Sequence, residues 1–209
     1  MKPPSRTEIW PPHEAFYIHS MRFNTLSAEK SISQVNAVLH VVQENSPEDP
    51  FSALPVHLIL DELQNVLIQA AAVSRYFWPA RSSHEWRGAQ LRSAFGISDE
   101  NPLRSRDLRN SIEHFDERLD LFLQGEVTGH ILPEYVGPLV EPAEVPVKLF
   151  RAYYVDKGIF ELLGQRFDIQ PISQTILEVH EQLGAMERSG GRLRGPAIQS
   201  SSRAWPPLN

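Results

Sequence analysis

Apolar residues recur along this chain mostly at intervals of three and four, the spacing that gathers them on one face of an α-helix. Ile32, Val35, Val38, Leu39 and Val42 show it most clearly, within a helix predicted from Phe16 to Asn45. The first half of that stretch reads two ways, because Phe16, Ile18 and Phe23 also suit a strand. A loop broken by Pro47, Pro50 and Pro55, with Ser52 as a candidate cap, leads to a second helix from about Pro55 to Phe77. Its Ile59, Leu60, Leu63, Val66, Leu67, Ala70, Ala71 and Val73 cover more than one narrow stripe, which predicts a central place in a bundle. Trp78 precedes a proline and ends it. Ser82 and Glu85 have the spacing of a capping box for a third helix, which Gly96 closes. Asn101 and Pro102 suit the cap and first residue of a fourth, running to about Gln124 before Gly125.

Downstream the pattern changes. Pro133, Pro138, Pro142 and Pro146 mark an irregular connector, and then the period shortens to that of strands. These are predicted at residues 147–155 and 159–163, joined by a turn at Asp156, Lys157 and Gly158, with a further short strand to Ile169. A last helix from Ser173 to Glu187 carries Ile176, Leu177, Val179, His180 and Leu183. The expected fold class is therefore mainly α, a four- to five-helix bundle with a small late β-hairpin at about residues 147–169. Residues 1–12 are expected to be a flexible N-terminus, 13–187 one helical domain, and 188–209 a disordered tail rich in Gly, Ser and Pro.

Composition narrows this further. The 209 residues suffice for one domain with a sizeable core, and 41% hydrophobic with 22% charged residues is a globular balance. With no cysteine, thiolate metal sites, disulfides and cysteine nucleophiles are excluded. No run approaches the roughly 18 apolar residues of a membrane span, and "MKPPSRTEIWPP" has no signal-like apolar core, so the expectation is a soluble, cytoplasmic protein without membrane attachment. A net charge of -6 argues against a surface that grips nucleic acid everywhere. Arg188, Arg192, Arg194 and Arg203, with no acid among them, make the tail locally basic.

The fourth helix carries the richest chemistry, in "LRNSIEHFDERLD". Leu108, Ile112, Phe115, Leu119 and Phe122 form one apolar stripe. Arg106, Arg109, Asn110, Glu113, His114 and Glu117 share an arc of about 140° turned away from it. Asn110 and His114 are one turn apart, so the amide could hydrogen-bond the imidazole, while Arg109 lies between Arg106 and Glu113. An arginine fork suits a phosphate, and a histidine can take or give a proton near neutral pH. RNA supplies its own nucleophile, the 2′-hydroxyl, so this pair is a sufficient kit for metal-free phosphodiester cleavage. The same residues also fit a solvated helix face with alternating charges, and Glu113, Asp116 and Glu117 would repel a phosphate.

"RNSIEH", Arg109 to His114, resembles the RX4-6H motif of HEPN domains. Its setting, "NPLRSRDLRNSIEHFDERLD" after "YFWPAR" and "RGAQLR", is similar to a poorly characterised bacterial HEPN-like group, and the resemblance spans roughly Phe16 to Leu183. It implies a HEPN-like bundle that forms a homodimer with both motif helices at a shared cleft, acting as a metal-independent endoribonuclease in toxin, defence or RNA-processing systems. By position, Arg109 would hold the phosphate, Asn110 would position the site and His114 would be the acid/base group, with Arg106, Glu113 and Glu117 in support. The alternative is a non-catalytic dimeric module that partners a toxin, a nucleotidyltransferase or another protein.

The eight histidines form no close ligand set, so no metal and no cofactor is expected. His180 reads as a helix-face residue. "SGGRLRG" lacks the strand and helix that a phosphate loop needs. Tyr153, Tyr154 and Phe160 read as packing residues.

Overall fold

A computed structural model of the protein describes residues 8–45, 54–125, 129–139 and 147–193, leaving aside the side chains of Asn45, Ser111, Ile112 and Glu113. The candidate cap Ser52 and the tail beyond residue 193 lie outside the described residues. Six α-helices occur among those described: α1 (Pro11–Asn45), α2 (Val56–Phe77), α3 (Glu85–Phe95), α4 (Arg106–Glu113), α5 (Phe115–Gln124) and α6 (Ile169–Arg188). Four strands, β1 (His130–Gly137), β2 (Val147–Tyr154), β3 (Ile159–Leu162) and β4 (Gln165–Asp168), form one sheet in that order. The molecule is mainly helical with a small sheet.

The helical half of the expectation holds closely. All eight apolar residues named on α2 are buried, and α2 touches α1, α3, α4, α6 and the first two strands. In α1 the ambiguous first half is helix, because Ile18, Met21, Thr25, Ala28, Ile32, Val35 and Leu39 are buried at alternating spacings of four and three. Phe16 and Phe23 lie off that stripe and are exposed. α6 closes the other side of α1, and His180 Nδ1 lies 3.0 Å from the buried Thr25 hydroxyl. α6 begins at Ile169, earlier than predicted, because Asp168 caps it through the Gln170 N–H and a proline is tolerated in a first turn. Beyond α6, Arg192 and the Leu193 N–H both donate to the buried Glu14 carboxylate, at 2.8 and 2.7 Å.

Three expectations need correction. Ser82 and Glu85 form no capping box: residues Ser82–His84 are a 3-10 turn without a side-chain cap, and Glu85 pairs with Arg92 at 3.1 Å. The connector contains a strand, β1, which runs parallel to β2 with Pro133 on the open edge, where a missing N–H costs no ladder bond. The fourth helix starts at Arg106 with Ser105 as its cap, Asn101 and Pro102 opening a separate 3-10 turn before it, and it is two helices, α4 and α5, meeting at His114. The remaining strands fall where predicted, with Gly158 in the left-handed turn (φ +64°) and Tyr153, Tyr154 and Phe160 buried.

Candidate functional site

The residues around the motif are set in place by two chain breaks. At the first, α2 stops at Phe77 because Trp78 is pushed out of helical geometry by Pro79 (φ -128°, ψ 81°). The Trp78 ring is then held from several sides: edge-to-face by Phe77 with centroids 5.8 Å apart, by the Arg92 guanidinium 5.8 Å away, and by a 3.4 Å hydrogen bond to Asp99. Arg92 also donates to the Phe77 carbonyl. α3 comes this close only because residue 88 is glycine, where a Cβ would stand 2.5 Å from the Phe77 oxygen and 2.6 Å from Pro79 Cδ.

The second break is the turn before α4. The Asn101 side chain accepts the Leu103 N–H at 3.0 Å and so caps the short 3-10 turn Pro102–Arg104, and Leu103 is fully buried. Ser74 of α2 donates to the Leu103 carbonyl, tying this turn to the central helix. Ser105 then caps α4, accepting the Leu108 N–H at 3.4 Å, and Leu108 enters the core. These constraints place the end of α2 opposite the start of α4.

Between them lies an open cleft of about 660 Å³. Arg75, Trp78, Pro79 and Ala80 line it from the α2 side, and Arg104, Ser105, Arg106, Arg109 and Asn110 from the α4 side. Four arginines therefore share one concavity, and among the described residues no carboxylate lines it. Arg109 is fixed at its rim: one terminal nitrogen donates to the Trp78 carbonyl at 3.2 Å, while its Nε is buried without a hydrogen-bond partner. Arg104 is held by Asp99, 3.5 Å away. The capped, positive end of α4 adds to the same field.

Of the residues singled out by sequence, Arg106, Arg109 and Asn110 are brought together in the cleft, whereas His114 is not among its lining. His114 is the residue at which the helix bends (φ -119°, ψ 41°), although the backbone ladder continues across it through Asn110 and Arg118 at 3.1 and 3.0 Å. Leu108 and Phe115, seven residues apart, anchor the two sides, Leu108 in the helical core and Phe115 edge-to-face on Phe150 of β2. The His114 side chain is 55% exposed, with Nδ1 3.8 Å from the Glu117 carboxylate, and it meets Asn110 through the backbone bond. The Glu113 side chain lies outside the described residues.

Sequence reasoning missed Arg75, Arg104 and the Trp78–Ala80 wall. The available signal was arginine beside each helix breaker, in "RYFWP" and "NPLRSR", since a break brings distant cations to adjoining helix ends. Among the described residues no helix is long and apolar enough to cross a membrane. Comparisons with protein-family models, with curated proteins and with solved structures return no significant match to this chain.

Proposed function

We propose that the protein binds RNA at the arginine cleft and cleaves it without a metal, in the manner of the HEPN-like domains that "RNSIEH" resembles. The observation that carries the reading is that Arg106, Arg109 and Asn110 share one open cleft with Arg75 and Arg104, with no described carboxylate in its lining. Phosphate binds most strongly to such charge-assisted, forked donors. Arg109, already anchored by the Trp78 carbonyl, presents its guanidinium without further ordering. His114, one turn beyond Asn110 and exposed, is the acid/base group. It removes the proton of the 2′-hydroxyl, whose oxygen attacks phosphorus. The bond from phosphorus to the 5′ oxygen breaks, water returns a proton to that oxygen, and the products are a 2′,3′-cyclic phosphate and a 5′-hydroxyl. Because His114 stands outside the lining, the strand must run from the cleft to the bend between α4 and α5.

A second reading is favoured by two other observations. His114 faces Glu117 rather than the cleft, and α1 exposes Phe16, Phe23 and Val41, with Trp10 just before it, as large apolar groups. Both suit a non-catalytic module whose homodimer or protein partner covers α1.

Incubation of a mixed RNA pool with the purified protein in excess EDTA tests the first reading, beside a His114→Ala variant of matched folding. Cyclic-phosphate ends, at least about 100-fold scarcer with the variant, are expected for a general acid/base. Equal inertness of both proteins would leave the interaction module.

A further inference from the structure

We infer that the arginine cleft is a site for a phosphate monoester, as found on a nucleotide or at a nucleic-acid end, in preference to the diester inside an RNA strand. The inference rests on the cleft used in the RNA reading: a terminal phosphate seated there would anchor the strand, with the diester that is cleaved lying toward His114, outside the lining.

The first argument is charge. Arg106 and Arg109 are three residues apart on one helix and so neighbours on its face, with Arg104 just before them and Arg75 opposite. No described carboxylate lines the concavity these arginines share, so an anion there meets several cations at once. An internal diester brings one negative charge. A monoester brings about 1.5 to 2 at neutral pH, with three acceptor oxygens that can meet two guanidinium forks at once.

The second argument is donor supply. Ser105 uses an oxygen lone pair to accept the Leu108 N–H, which leaves its own hydroxyl proton to donate. Asn110 adds an amide, and the Arg109 guanidinium lines the same cleft. Hydroxyl, amide and guanidinium donors together suit an oxygen-rich anionic head.

The third argument is shape and rigidity. The cationic groups from α2 and α4 border a single concavity of small-molecule size, with Trp78, Pro79 and Ala80 as its apolar side. Trp78 and Arg109 are each held by contacts that do not involve the ligand, so little ordering is required on binding.

Fluorescence anisotropy of one labelled RNA oligonucleotide, prepared with a 5′-phosphate, a 3′-phosphate or hydroxyl ends, tests this, with pyrophosphate and a nucleoside monophosphate as competitors. At least about tenfold tighter binding of a phosphorylated form is expected, with competition by pyrophosphate. Arg106→Ala and Arg109→Gln should each abolish that preference, while Arg81→Ala, an exposed arginine outside the lining, should keep it. Circular dichroism confirms that the variants fold. Binding of the monophosphate and pyrophosphate without any RNA form would also support the site and name a free nucleotide as its source. Equal affinity for all RNA ends, a preference that survives both arginine variants, or no binding of any probe would overturn it. Cleavage of the hydroxyl-ended RNA by the wild-type protein would leave the nuclease reading standing even then.

Discussion

Arg109 illustrates how much one side chain is fixed by its surroundings. Its position on the helix follows from counting residues, but its hold on the Trp78 carbonyl depends on a chain break 31 residues earlier. His114 shows the reverse case: its identity drew attention, yet it sits at a bend and stands outside the cleft lining. His180 yields a prediction at this scale. Burial, and then the nearby Arg22 guanidinium, hold its pKa below 6.5, while Glu29 pulls the other way. The unfolded chain therefore binds more protons than the folded one once pH drops toward 6.5, and this contribution to stability, complete above that value, is lost as pH falls further. Thermal denaturation between pH 8 and pH 5 should show a smaller fall in Tm for His180→Gln than for the wild type. An unchanged slope would mean that the Thr25–His180 contact carries no charge-linked stability.

At the scale of elements, breakers and caps decide where the cationic residues meet. The Trp78–Pro79 stop and the Gly96 left-handed closure (φ +65°) were legible, because each rests on backbone sterics of one or two residues, whereas the Asn101–Pro102 cap opens a separate 3-10 turn and Ser105 caps α4. The bend at His114 was not legible, since neither proline nor glycine marks it and Phe115 beyond it also packs on Phe150, a residue distant in sequence. The strand β1 was hidden for a related reason: an edge strand tolerates Pro133, and its pairing to β2 is not local. Gly88 is the element-scale test. A Gly88→Ala variant places a methyl against the Phe77 carbonyl and Pro79, so α3 must retreat. We expect a loss of about 1–3 kcal/mol in urea denaturation together with weaker pyrophosphate binding, because Trp78 and Pro79 form a cleft wall. Destabilisation without any loss of binding would show that α3 does not position that wall.

Over the whole molecule, a formal charge of -6 surrounds a local concentration of arginine. Attraction to a phosphate should then be short-ranged and screened by salt, over about 10 Å at 0.1 M. Pyrophosphate affinity is expected to fall steadily between about 50 and 500 mM salt, and less steeply in Arg106→Ala, which has one cation fewer. A salt-independent affinity, measured by calorimetry, would contradict a site built on exposed arginines.

The sequence by itself determined the helical core, since a period of three and four in α2 and α6 is a local consequence of burying one helix face. It also determined that Arg106, Arg109 and Asn110 share a helix side, because helix geometry fixes the angle between near neighbours. Only the tertiary structure decided that Arg75 and Arg104 join them, that Trp78 walls the cleft, and that His114 stands apart. Those relations cross between elements, where packing against Leu103, Leu108 and Phe150 sets distances that no periodicity encodes.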